Sequence, residues 1–244
     1  MTAGPLLRQW RERRRMSQLE LATSAGVSVR HVSFVETGRS QPSRALLLKL
    51  GEHLDIPLRE RNSLLLAGGF APVFHESELP VSVISDAIRK ILDAQLPYPA
   101  IVVDRHWNMV DANAAVAAFT VGCAGFLLEP PVNVLRLSLH PEGFAPRIAN
   151  LGQWRAHVLE RLARQVAASG DAELAALETE LSEYPGSSDE VPDTNPLVVP
   201  LVLKDGASFF TTTTVFGTPL DITLAELAIE SFFPADEETA ARYR

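Results

Sequence analysis

The sequence predicts two domains of different class: an all-α domain of five helices over residues 1–70 and an α+β domain over residues 97–244, joined by a linker and connecting helix over residues 71–96. Three observations predict this division. Residues 16–43 hold two short amphipathic segments separated by a glycine, each preceded by a serine. Residues 97–244 begin and end with strand-prone runs and carry helical periodicity between them. Charge divides at the same place: residues 1–70 carry 11 Lys and Arg against 6 Asp and Glu, residues 71–244 carry 11 against 24, and the chain totals −8. At 244 residues and 46% hydrophobic content there is enough apolar material for two ordinary cores.

The first domain is specified by short-range signals. Arg8, Arg11, Arg13, Arg14 and Arg15 concentrate positive charge on the opening helix. Ser17 followed by Glu20 is a capping box, in which each side chain satisfies the other's free backbone N–H, so a helix starts at Gln18. Gly26 tolerates the positive φ with which a chain leaves a helix. Ser28 caps a second helix whose Val32 and Val35 are spaced to pack on Leu21 and Ala25, with small Ala22 allowing close approach. Arg30, His31 and Ser33 are left facing outward. Arg44–Leu54 and Leu58–Ala67, separated at Pro57, read as two further helices, and Gly68–Gly69 ends the domain. Two short helices with a polar, partly basic second face form the arrangement that places side chains in a DNA major groove. A basic domain on an acidic body can still present one attractive face to phosphate. The exposed arginines of the first helix are expected to contact phosphate, the alternative being simple solvation of a surface helix.

The run S-Q-x-E-L-A-x-x-A-G-V-S, then V-S-x-V-E-x-G, then P-S, resembles the repressor-type helix-turn-helix of the bacterial Xre family, related to phage repressors. The resemblance covers about the first seventy residues. It implies a phosphate contact from Gln18 and a DNA-binding set of Gln18, Ser28, Val29, Arg30, His31, Ser33, Phe34 and Arg39. Of these, Val29, Arg30, Ser33 and Phe34 fall where such repressors meet bases, and Arg30 is suited to bidentate recognition of guanine. Val29 and Phe34 depart from the amides usual there: both could meet thymine methyls, or Phe34 could pack inward. The resemblance also implies a buried ion pair between Arg11 and Glu36.

Downstream, Pro72–Pro80 reads as a linker, and Val83–Leu96 as a connecting helix with Ile84, Ile88 and Leu92 on one stripe, a possible dimer contact. Ala100–Val103 and Trp107–Asp111 read as strands around a turn, with Asn113 capping a helix through Phe119. Trp154, Val158, Leu162 and Val166 mark one amphipathic helix, and Leu174, Leu177 and Leu181 another. Tyr184–Asn195, broken by Pro185, Gly186 and Pro192, reads as a mobile surface loop. Leu197–Leu203, with Pro200 inside it, suggests an edge strand or a bulge, and Ala207–Phe216 is strongly strand-prone. Leu224–Phe233 is open between strand and helix. The plan is α+β, with the two ends of the domain meeting in one sheet.

This series resembles a PAS-like sensor domain, specifically the MmyB-like ligand-binding domain found behind Xre helix-turn-helix domains. The residues that carry it are YPAIVVDRHWNMVDAN, NVLRLSLHPEG, the helix from Trp154, PLVVPLVL, and FGTPLDITLAELAIESFFPADEETA. The chain departs from the commoner pattern after Ser187. The resemblance implies an apolar cavity between sheet and helices that holds a fatty acid or similar lipid-like molecule, with no obligatory cofactor. An apolar lining and one polar anchor are what such a site needs. Trp107, Phe119, Phe126, Leu127, Phe144, Phe209 and Phe216 could line it, although aromatics of this kind more often fill a core. Arg136 and Arg147 could pair with a carboxylate through a planar fork, the alternative being salt bridges to neighbouring acids.

Other classes fit less well. His106, His140 and His157 lie near Asp104, Glu142 and Glu160, but none has metal-ligand spacing, and no phosphate loop or nucleophile elbow occurs, so neither metal nor catalytic residues are expected. His157 and Glu160 read as a surface pair. Cys123, the single cysteine, reads as a buried structural thiol. With no long uncharged apolar run and no apolar leader, the chain is expected in the bacterial cytoplasm without a membrane partner. Two functions are therefore weighed. One is a homodimeric regulator on a near-palindromic double-stranded operator, modulated by a small apolar ligand. The other is a constitutive DNA-binding protein whose C-terminal domain serves oligomerisation or protein docking.

Overall fold

The computed structural model describes residues 2–77, 82–186, 198–217 and 219–243. Contacts divide the chain into two compact units. One is built on residues 1–77 with segments 167–169 and 218–225, and the other on residues 78–166, 170–217 and 226–244.

Residues 2–77 of the first unit form α1 (Ala3–Arg13), α2 (Gln18–Ser24), α3 (Val29–Glu36), α4 (Arg44–His53) and α5 (Leu58–Ala67). The capping box is formed: the Ser17 hydroxyl accepts from the Glu20 N–H at 3.1 Å and Glu20 Oε2 accepts from the Ser17 N–H at 2.6 Å. That backbone donor holds the Glu20 carboxyl below its usual range. Gly26 turns the chain at φ +60°. Ser28 and Ser43 accept from the N–H groups of His31 and Leu46, capping α3 and α4. Leu21, Ala22 and Ala25 bury against Val32 and Val35, in one core with Leu7, Trp10, Leu47, Leu50 and Leu64. α1 lies over the end of α3 because Gly4 has no side chain: a Cβ there would stand 2.3 Å from the Val35 carbonyl oxygen.

The second unit begins with α6 (Ser82–Ala94), which buries Ile88 and Leu92. The side chain of Ile84, residues 78–80 of the linker and residues 187–195 of the expected loop lie outside the described residues. A five-stranded antiparallel sheet follows, in the order β2-β1-β5-β4-β3, from β1 (Ala100–Val103), β2 (Met109–Ala112), β3 (Leu201–Val202), β4 (Ser208–Val215) and β5 (Ala228–Pro234). α7 (Ala117–Thr120), α8 (Val134–Leu139), α9 (Leu151–Ser169) and α10 (Ala172–Glu183) come between β2 and β3, and α12 (Glu237–Arg242) closes the unit. The short α11 (Ile222–Ala225) precedes β5 in the chain and belongs to the first unit.

Four differences from the sequence reading have physical causes. β2 starts at Met109 because the Asp104 carboxylate accepts from the N–H groups of His106 and Asn108, building a turn that leaves Trp107 at φ +68°. Asn113 caps no helix. Its buried amide accepts from Ala100 N–H and donates to the carbonyls of Leu92 and Tyr98, and the expected helix is split into a 3-10 turn (Ala114–Val116) and α7. The ambiguous Leu224–Phe233 becomes α11 and then β5. Ile229, Glu230 and Ser231 are all buried in β5, so no alternation of polar and apolar residues could announce it. Cys123 is half-buried, its thiol directed at the Phe119 carbonyl and its pKa pushed up by burial. β3, directly after Pro200, does lie at the sheet edge, and β1 pairs with β5, so the ends of the domain meet as expected. Among the described residues no helix is long and apolar enough to cross a membrane.

Candidate DNA-binding face and ligand pocket

On α3 the buried side is Val32, Val35 and Glu36, which leaves Val29, Arg30 and His31 exposed and Ser33 and Phe34 half-buried. Phe34 does not pack inward. Its ring carries the Arg30 guanidinium at 5.0 Å and the Arg39 guanidinium at 6.0 Å, a cation–π stack that gathers two positive charges at the helix surface. Ser28 stays at the N-terminus of α3, where its hydroxyl is engaged in the cap.

Behind this face is the Arg11–Glu36 pair. Arg11 Nε donates to Glu36 Oε1 at 2.6 Å and Nη2 to Oε2 at 2.9 Å, while Nη1 donates to the Met16 carbonyl. Glu36 also accepts from Gln18 Nε2 at 2.8 Å. One buried carboxylate therefore ties α1 to α3 and orients the Gln18 amide at the start of α2, a positioning role that the helix-by-helix reading missed. Of the remaining N-terminal arginines only Arg8 and Arg13 lie on α1, since the helix ends at Arg13 and leaves Arg14 and Arg15 in the turn after it, and they are unevenly available. Arg8 is paired with Glu12, and Arg14 caps α4 by donating to the carbonyls of Leu54 and Asp55. Arg13 stacks on Trp10 at 4.6 Å, and Arg15 is exposed.

In the second unit a pocket of about 110 Å³ opens between the sheet and α9. Its floor follows from strand alternation: Ile101 on β1, Thr211 on β4, and Glu230 and Phe232 on β5 face one side. Its roof follows from helical spacing, with Trp154, His157, Val158 and Arg161 of α9 on one stripe. Trp107, Phe119 and Phe144, three of the expected lining residues, are there. The others are not. Phe209 is fully buried beneath, edge-on to Phe119. Phe126 is exposed against His140, and Phe216 lies past the end of β4, away from the pocket.

Neither expected anchor reaches the pocket. Arg136 makes a two-pronged bond to Glu180 at 2.6 and 2.7 Å, the salt bridge weighed as its alternative. The same carboxylate takes the Tyr184 phenol, whose pKa is pushed up to about 12 by burial and by Glu180. Arg147 donates to the Ala118 carbonyl at 2.8 Å and stacks on the outside of Phe144. The cation in the pocket is Arg161. It donates to both oxygens of Glu230 at 3.0 and 2.6 Å and to the Thr213 hydroxyl at 2.7 Å, and it lies 4.5 Å from the Trp107 ring centre. His157 is half-buried among the lining residues, not in a surface pair, and burial, followed by Arg161, lowers its pKa. The sequence reading missed both His157, taken as a surface residue, and Arg161, although their helical spacing from Trp154 could have placed them on its face; nothing local pointed to Glu230.

A helix-turn-helix unit on the same chain as an α+β unit with an apolar pocket defines a DNA-binding transcription regulator with a ligand-binding domain. Residues 84–244 match the family model described as the MmyB-like transcription regulator ligand binding domain, and residues 7–61 match a helix-turn-helix model. The chain belongs to the family of MmyB-like transcription regulators. It is also 30% identical, over 109 residues, to the HTH-type transcriptional repressor RghR of Bacillus subtilis, an alignment covering 44% of this chain and 78% of that protein.

Proposed function

We propose that this regulator binds a near-palindromic operator as a homodimer, reading it with Val29, Arg30, Ser33 and Phe34 of α3, and that an apolar small molecule in the pocket changes its affinity for that operator. The ligand is a fatty acid or a molecule of similar apolar character. The observation that carries the reading is the Arg30–Phe34–Arg39 stack on the one face of α3 that the core leaves uncovered. One α3 reaches only a few base pairs, and operator affinity in this class comes from two half-sites about one helical turn apart. The name of the Bacillus relative supports repression as the output. Action on chromosomal DNA goes with a cytoplasmic site, and family membership points to regulation and not catalysis.

A ligand can shift the operator equilibrium only by the difference in its affinity for the two states. Operator selection with the full chain, followed by footprinting and sedimentation of the complex, tests the DNA half. Protection of two half-sites by a dimer is the expected result, and a monomer on a single half-site would refute it. Native mass spectrometry of protein purified from cells tests the ligand half. A bound small molecule whose removal alters operator affinity is expected; a pocket that binds nothing in titration sinks it.

A further inference from the structure

The sheet of the second unit ends in an edge that its last strand leaves mostly uncovered. β3, two residues long and directly after Pro200, pairs only with Ser208 and Phe209, whereas β4 runs on in unbroken register with β5 to Val215. Among the described residues nothing pairs with the outer side of residues 211–215. Thr212, Thr213, Thr214 and Val215 are exposed, so neither α6 nor α9 covers that edge. The direction of its backbone groups follows from the ladders. Ala235 N–H donates to the Ser208 carbonyl on the β5 side, and Leu203 N–H donates to the Ala207 carbonyl on the β3 side. The two sides alternate along a strand, so Thr211, Thr213 and Val215 aim their N–H and C=O groups outward. Chains normally protect such an edge with a charge, a proline or a bulge. This one has none of them: residues 206–220 carry no charged side chain, although residues 71–244 hold 24 Asp and Glu against 11 Lys and Arg, and the register of β4 on β5 has no irregularity.

We propose that this edge is the homodimer interface: β4 of one protomer pairs antiparallel with β4 of a second copy about a two-fold axis at Thr213, joining the two sheets into one. This rests on the homodimeric reading above and names its interface. A two-fold there sets Thr213 opposite its own copy and Thr211 opposite the partner's Val215. Every facing residue then has outward backbone groups, and the copies exchange roughly six hydrogen bonds, two for each of three facing pairs. A second copy also satisfies the electrostatics of an acidic unit, because no like charges meet along an uncharged strand. Its β-branched threonines add cross-strand hydroxyl pairs, and an isologous contact closes after two copies. The stripe of α6 read as a possible dimer contact is not available for this task, since Ile88 and Leu92 are buried within their own unit. Thr211 belongs both to the interface strand and to the pocket wall, so a ligand in the pocket touches the strand that joins the copies.

Disulfide trapping on the full chain tests the register, with Cys123→Ser as the background of every variant. Facing residues of a hydrogen-bonded pair lie about 5.5 Å apart between Cα atoms, within reach of a disulfide. Thr213→Cys should therefore form a covalent dimer under mild oxidation. Thr211→Cys should not, because its two copies stand four residues apart along the strands, about 13 Å, whereas a mixture of Thr211→Cys and Val215→Cys chains should cross-link. Val215→Pro removes an outward N–H and no bond to β5, so sedimentation velocity should show a dimer dissociation constant raised at least about 10-fold with an unchanged circular dichroism spectrum. If dimers form in solution or on the operator but Thr213→Cys yields no cross-link, or folded Val215→Pro leaves them unweakened, this interface is overturned and the homodimeric reading stands. Cross-linking of Thr211→Cys alone as strong as that of Thr213→Cys overturns the axis at Thr213. A chain that stays monomeric at every concentration and on the operator overturns both the interface and the homodimer.

Discussion

Replacing Arg11 by Met tests how much of the DNA-binding face depends on one buried pair. The Glu36 side chain is 1% exposed, and the substitution removes two charge-assisted bonds of 2.6 and 2.9 Å, leaving the Gln18 amide as its remaining bond. It also strips the Met16 carbonyl of the Arg11 donor that fixes the turn between α1 and α2. Breaking a buried ion pair from one side costs about 3–5 kcal/mol, because an uncompensated charge stays inside. In a domain of this size each kcal/mol moves the unfolding midpoint by about 4–8 °C, so the first unit should melt at least about 12 °C lower. Calorimetry of the full chain gives the midpoint, and hydrogen exchange of peptides from residues 3–36 assigns the transition to this unit. The double variant Arg11→Met, Glu36→Met removes both charges and should recover to within about 1 kcal/mol of the wild type. A loss below about 1 kcal/mol in the single variant, or a double variant as damaged as the single, would refute the reasoning.

Three more outcomes are expected. Arg30→Ala should relax sequence preference at one operator position by about 1–3 kcal/mol while leaving folding intact, and unchanged selection would remove Arg30 from the reading set. Gly4→Ala forces a Cβ into the Val35 carbonyl oxygen, 2.3 Å away, and should destabilise the first unit by about 1–3 kcal/mol in urea titration; a neutral effect would mean that α1 shifts freely. His157 has a pKa below its ordinary 6.5 in the folded chain, so the unfolded chain binds the proton first as pH falls. Stability of the second unit should therefore be at its full value above about pH 6.5 and decline below it, and His157→Gln should flatten that decline in thermal melts between about pH 5 and 8. A variant with the wild-type slope would count against burial of the imidazole.

Much of the first unit was legible because its signals act over three or four residues. Ser17 with Glu20, Gly26 and Ser28 each fix a helix end without help from the rest of the chain. The pocket was legible only as a type of place. Trp107, Phe119 and Phe144 were expected to line it and do, whereas Phe126, Arg136, Arg147, Phe209 and Phe216 had equally suitable chemistry and point elsewhere. An arginine in the sequence carries no mark of whether its partner is a ligand or Glu180.

The sequence by itself determined a basic helical DNA reader ahead of an acidic α+β domain, because caps, periodicity and charge are local or additive properties. Only the tertiary structure decided that Glu230, in a strand that no alternation announces, meets Arg161 from 69 residues away, and that Glu36 meets Arg11 and Gln18 at once. The ion pair at the pocket depends on sheet order and register, which place β5 between β1 and β4 and turn Glu230 toward α9. That register follows from the burial of consecutive residues in β1 and β5, a property of the assembled fold and not of any segment within it.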